Sequence, residues 1–113
     1  MSTSTAKAPL EIDVTTLKSM FDNGEKFMLL DVREKDEYAR AKIDGADLIP
    51  LGQLPSRINE VTKDYPLVVH CHHGGRSAKA VAWLRQNGFT KASNLTGGID
   101  AWSVKIDPAV ARY

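Results

Sequence analysis

Residues 67–71, Leu-Val-Val-His-Cys, stop at a short loop holding the pair Gly74-Gly75, and a helical pattern then runs through Asn87. A short, mostly apolar run without polar alternation marks a strand covered on both faces, and a helix that follows directly makes it a crossover unit. Such units build parallel sheets. The rest of the chain repeats the pattern. Residues 10–12, 27–32, 47–49 and 92–95 read as further strands. A helix capped by Asp13 or Thr15 carries Leu17, Met20 and Phe21 and stops at Asn23-Gly24. Residues 36–40 and 54–61 read as two more helices. Ala78, Val81, Ala82 and Leu84 give the helix after residues 67–71 its apolar side, and Gly97-Gly98 opens a last helix with Ile99, Ala101 and Trp102. The expected fold is α/β, an open sheet of about five mainly parallel strands with helices on both faces. Ligands of such sheets bind outside the carboxyl ends of the strands. Asp31, Arg33 and Cys71 sit at such ends, so their segments should meet.

The chain has 113 residues and a single cysteine, which makes one domain and excludes both a disulfide scaffold and a cysteine-rich zinc module. Lys and Arg number 15 against 14 Asp and Glu, so the balance argues for neither nucleic acid nor a charged membrane surface. No apolar run approaches the ~18 residues of a bilayer span. Residues 1–9 are mostly Ser, Thr, Ala and Lys without an apolar centre, and read as a flexible leader before a single domain at 10–113. Lack of a secretory pattern points to the cytoplasm, where a lone thiol stays reduced.

The chemistry concentrates in Cys71-His72-His73-Gly74-Gly75-Arg76-Ser77. Glycines permit a tight turn whose N–H groups point inward, and the helix that follows adds its own free N–H groups and positive dipole end. Arg76 supplies planar donors for an oxyanion, and Ser77 a hydroxyl donor at the helix start. Moving a thiol from about 8.5 to about 6.5 takes ~2.7 kcal/mol, within the reach of a helix terminus and one or two hydrogen bonds to the thiolate. Cys71 is therefore expected to be a nucleophile. His72 and His73 are expected at the loop mouth, and His70 in the core. Consecutive histidines do not converge on one ion and no second ligand pair exists, so no metal is expected. Lys79, Trp83 and Trp102 read as a solvated charge and two helix-core residues.

The loop resembles the active-site loop of rhodanese-type sulfurtransferases, whose short form is Cys-x-x-Gly-x-Arg-Ser. Leu29-Leu30-Asp31-Val32-Arg33 with Glu37-Tyr38 resembles the amino-terminal motif of that family, and residues 94–102, Asn-Leu-Thr-Gly-Gly-Ile-Asp-Ala-Trp, its carboxyl-terminal motif. The stretch 49–55 and the ending Ile106-Asp107-Pro108 are similar to rhodanese modules fused to adenylyltransferases that activate sulfur-carrier proteins. One departure is Ala41-Lys42-Ile43 where the family often has Gly-His-Ile; it falls at a turn into a strand. The resemblance implies a rhodanese-like sheet and a cycle without cofactor. A donor such as thiosulfate leaves its sulfane sulfur on Cys71 as a persulfide. A thiol, cyanide or sulfur-carrier protein then removes it. Residues 72–77 would bind the substrate, while Asp31 and Arg33 would support the loop, or Arg33 would pair locally with Glu37.

Two rivals belong to other classes. Cysteine-dependent phosphatases and arsenate reductases use a longer spacer between Cys and Arg than the four residues found here. Rhodanese-like domains also serve as non-catalytic binding or sulfide-sensing modules, typically without the cysteine, which this chain retains.

Overall fold

The structure is a computed structural model that describes residues 8–113. In chain order the elements are β1 (Glu11–Ile12), α1 (Val14–Asp22), β2 (Met28–Asp31), α2 (Lys35–Arg40), β3 (Ala46–Leu48), two 3-10 segments (Leu51–Gln53 and Pro55–Glu60), β4 (Leu67–His70), α3 (Gly75–Gln86), β5 (Ala92–Leu95) and α4 (Gly98–Lys105). The five strands form one sheet in the order β1-β5-β4-β2-β3, and every pair is parallel. In β2 and β4, Asp31 pairs in register with His70, so Asp31-Val32-Arg33 and Cys71 leave the sheet side by side.

Alternate side chains of each strand feed opposite faces. Leu30, Val32, Leu67 and Val69 pack with Ala80, Val81 and Leu84 of α3 and with Leu54 and Val61. Leu29, Val68 and Leu95 pack with Val14, Leu17 and Met20 of α1 and with Ile99 and Trp102 of α4. Each such fully buried aliphatic side chain contributes roughly 1.5–3 kcal/mol. Both faces of the sheet are covered, which is why its strands read as apolar runs rather than alternating ones.

The structure departs from the sequence reading in several places. Residues 54–61 do not form an α-helix. They form a 3-10 segment kinked at Arg57 (φ −116°, ψ 21°) and held by short-range bonds from Arg57 N–H to Leu54 O and from Val61 N–H to Ile58 O. Pro55 stands at the first position, where its missing N–H costs nothing, but Ser56 and Asn59 propagate a helix poorly. Leu54 and Val61 still reach the core, so tertiary packing preserves the segment without helical geometry. In α3, Ala80 rather than Ala82 turns inward, and Trp83 is only half-buried. Phe21 stays 37% exposed, resting edge-on against Phe27 and Trp102.

Of the expected leader, residues 1–7 lie outside the described residues. Ala8 and Pro9 are held in place. Ala8 N–H donates to Thr90 O, Arg85 donates to both their carbonyls, and the Ser93 hydroxyl donates to Pro9 O. At the departure from the family pattern, Ala41 has extended backbone (φ −159°, ψ 140°), so the position makes no demand for glycine. Among the described residues no helix is long and apolar enough to cross a membrane.

Candidate active site

Cys71 directly follows β4, with 1% of its surface exposed and no disulfide partner. Three donors converge on its Sγ: Gly74 N–H at 3.1 Å, Ser77 N–H at 3.4 Å and the Ser77 hydroxyl at 3.3 Å. Burial pushes the thiol up, but the Ser77 hydroxyl and the N–H groups of Ser77, Gly74 and Arg76 outweigh it and leave the thiol below its ordinary value. Local backbone geometry makes this possible. Gly74 adopts φ +114°, the left-handed region, which lets the chain reverse so that its own N–H faces back to Sγ. Gly75 has no such φ and opens α3 as an ordinary first-turn residue. The turn thus needs one glycine of the pair.

A second helix end fastens the loop from below. Ile99 N–H donates to Cys71 O at 2.9 Å and Asp100 N–H to His72 O at 3.1 Å, so the free N–H groups of α4 satisfy loop carbonyls. Gly98 approaches so closely that a Cβ there would lie 2.5 Å from both carbonyl oxygens. Asn94 Nδ2 adds a bond to Gly74 O at 3.2 Å.

The register places Asp31 beside His70, one residue before the loop, and Arg33 reaches Arg76 through Tyr113 and Glu37. Asp31 and Arg33 are both fully buried. The Arg33 fork donates to both Asp31 oxygens, to Ala41 O, to Glu37 O and to the Tyr113 hydroxyl. Its contact with Glu37 is through the backbone, and the Glu37 carboxylate is taken by Arg76 instead. Arg76 Nη1 and Nη2 donate to the two Glu37 oxygens at 2.6 and 2.8 Å. The Arg76 fork, against the opposing effect of burial, holds the Glu37 carboxyl at about 2. Tyr113 completes the chain, donating its hydroxyl proton to Glu37 Oε2 at 2.8 Å.

His70 is buried behind the thiol, where burial holds it below its ordinary value. Its Nε2 lies 3.7 Å from Asp31 Oδ2. His72 is half-buried between two rings, His73 at 3.9 Å and Tyr113 at 4.0 Å between centroids. Burial and the adjacent His73 hold it below its ordinary value. His73 is exposed, 4.0 Å from Asp100. His72, His73 and Asp100 bring ligand-type atoms within 4.8 Å of one another, but the residues do not fit an ion. The stacked rings direct their in-plane lone pairs side by side, and Arg112 already occupies Asp100 at 2.9 Å.

Sequence reasoning missed the parts played by Glu37 as partner of Arg76 and by Tyr113. A cavity of about 840 Å³ lies at the opposite end of the strands, around Phe27, Gly45, Lys63 and Phe89. It touches none of the loop residues, so the chemistry and not the cavity size locates the candidate site.

The rhodanese-like domain family model matches residues 13–105. Over 101 residues the chain is 38% identical to a sulfurtransferase of Allochromatium vinosum, covering 89% of this chain and 94% of the relative. It is 35% identical over 106 residues to the putative sulfur carrier protein YrkF of Bacillus subtilis, covering 94% of this chain and 57% of that protein. With the probable adenylyltransferase/sulfurtransferase MoeZ of Mycobacterium tuberculosis it shares 37% identity over 99 residues, 86% of this chain and 25% of the relative. The crystal structure of a rhodanese-like domain protein from Staphylococcus aureus superposes with a TM-score of 0.80 at 31% identity, covering 93% of this chain and 99% of that one.

Proposed function

The chain belongs to the rhodanese-like domain family, and on that premise we propose that it transfers sulfane sulfur through a persulfide on Cys71. The observation that carries this reading is the convergence of three donors on a buried Sγ whose acidity they raise. A thiolate held that way attacks the outer sulfur of a donor such as thiosulfate. The sulfur–sulfur bond of the donor breaks, its electron pair leaves with sulfite, and a new bond forms to Sγ. The terminal sulfur of the persulfide is then the anion that the N–H groups of the loop and of the first turn of α3 stabilise. An acceptor thiol or cyanide attacks that terminal sulfur in turn and regenerates the thiolate. Cys71 is the only cysteine in the sequence, so no neighbouring thiol intercepts the persulfide. Gly74 and Ser77 act as donors, Gly75 and the α3 end as the cradle, and Arg76 and His72 as groups at the mouth. Asp31 and Arg33 hold the frame. A sulfur-carrier protein is a fitting acceptor, since relatives include one named as a sulfur carrier and one that joins an adenylyltransferase to a sulfurtransferase. A reducing compartment such as the cytoplasm suits a lone reactive thiol.

The test is intact-protein mass spectrometry after incubation with thiosulfate and, separately, with cysteine persulfide. A gain of one sulfur atom on the wild-type chain, absent from Cys71→Ser, is expected. No adduct from either donor removes the proposal.

A further inference from the structure

The arginines around the loop are matched with carboxylates. Arg33 is paired with Asp31, Arg112 with Asp100, and Arg76 with Glu37. The last pair lies next to the thiol: the Arg76 N–H belongs to the cradle of Cys71 and its side chain is partly exposed. Glu37 is pinned from three sides. The Arg76 fork takes both its oxygens, the Glu34 N–H donates to Oε1 at 3.1 Å in a capping box at the start of α2, and the Tyr113 hydroxyl donates to Oε2. Arg33, through the Tyr113 hydroxyl that it donates to at 2.7 Å, backs the arrangement. Tyr113 lies beyond residues 13–105 matched by the family model, so this clamp is partly supplied from outside the matched region. Arg40 adds one exposed charge over the Tyr113 ring, where solvent screens it.

We propose that Glu37 is a specificity-determining residue that cancels the charge of Arg76 and so turns the site from doubly charged donors such as thiosulfate toward donors with a single charge at the sulfane end, a persulfide of a small thiol. This deepens the sulfur-transfer reading and rests on it for the choice of donor. Both donors react in balance. The Cys71 thiolate attacks the outer sulfur, one sulfur–sulfur bond replaces another, and sulfite or a thiolate departs with the electron pair. What differs is the approach. A dianion meets a guanidinium already neutralised by a carboxylate and must displace it, whereas a monoanion needs only the N–H cradle.

The test uses charge as the variable and two kinds of readout. Cys71 is alkylated with neutral iodoacetamide and with anionic iodoacetate, and kcat/KM is measured with thiosulfate and with cysteine persulfide. In Glu37→Gln, which keeps the amide oxygen as an acceptor for the Glu34 N–H, the iodoacetate-to-iodoacetamide rate ratio should rise about tenfold, the worth of one charge a few ångström away in a partly exposed site. The thiosulfate-to-persulfide ratio of kcat/KM should rise comparably. Glu37→Asp, which restores the charge, should stay within about twofold of wild type. A purely structural role would lower both reagents together and leave the ratios unmoved, and that result overturns the inference. Should Glu37→Gln fail to fold, the wild-type protein still decides. A neutral mouth predicts that the iodoacetate rate changes less than about twofold between roughly 0.05 and 0.5 M salt, and a steep fall overturns the inference. The alkylation arm does not depend on sulfur transfer. Absence of any sulfur adduct would therefore sink the functional proposal while the charge ratio still judged Glu37.

Discussion

Burial alone would leave Cys71 an inert thiol, since taking it out of water disfavours its charged form. What reverses the balance is the number of donors within reach, of which the Ser77 hydroxyl is the one a side-chain substitution can remove. A hydrogen bond to a charged group contributes roughly 1.5–3 kcal/mol, so Ser77→Ala should raise the Cys71 pKa. The pH midpoint of iodoacetamide alkylation measures this directly. A midpoint that stays put would assign the acidity to the backbone N–H groups alone. The loop was legible in the sequence because its partners are neighbours in the chain, Gly74 and Ser77 lying three and six positions from Cys71. Glu37 meets Arg76 across 39 positions and Tyr113 across 76, and no local pattern encodes such a meeting. Arg76 was accordingly read as a free cation for an anion, when a carboxylate already holds it.

Two helix ends meet at the loop, and they tolerate change differently. α3 begins at Gly75, where an added Cβ would meet nothing within 4 Å and where φ is ordinary. α4 begins at Gly98, where φ is +57° and a Cβ would press on the carbonyls of Cys71 and His72. Gly75→Ala should therefore be neutral or stabilising by a few tenths of a kcal/mol up to about 1 kcal/mol, through lost freedom of the unfolded chain and better helix propensity. Gly98→Ala should cost about 1–3 kcal/mol, because the crowded atoms are backbone oxygens that cannot rotate away. It should also slow Cys71 alkylation, since the loop must shift. Urea midpoints of the two variants make the comparison, and equal stabilities would mean that α4 does not brace the loop. In the sequence both glycine pairs looked alike, as punctuation before a helix. The central strands β2 and β4 are readable because burial on both faces favours apolar residues there. Leu54, Ile58 and Val61 keep a helix-compatible spacing, which hides from the sequence that Ser56 and Asn59 propagate a helix poorly and that the backbone kinks at Arg57.

At the scale of the whole molecule, Arg33 is the residue on which distant parts lean. Its five donor groups reach the end of β2, the backbone beyond α2 and, through Tyr113, the clamp on Arg76. The motif Asp31-Val32-Arg33 announced itself in the sequence as charge at a strand end. That the pair would be wholly buried was not announced, because an ion pair sinks into a core only when several elements close over it. Its removal should be felt throughout. Arg33→Met keeps volume but leaves the Asp31 carboxylate buried without its partner, a loss of about 3–5 kcal/mol. One neighbour can soften that loss. His70 Nε2 lies 3.7 Å from Asp31 Oδ2 with no other partner, and it is held neutral by burial, with Asp31 favouring its charged form and Arg33 opposing it. Once the guanidinium is gone, the nearby carboxylate favours a proton on His70, and its folded-state pKa rises. Relative to wild type, the stability gained from that proton is present at low pH and fades as pH rises through the folded value of the variant. The penalty of Arg33→Met relative to wild type should therefore be smaller near pH 5 than near pH 8, as denaturant midpoints would record. The double variant Arg33→Met, His70→Gln should lose that pH dependence, since glutamine carries no proton to gain. A penalty that is flat with pH in the single variant would show that His70 takes up no proton when Arg33 is removed.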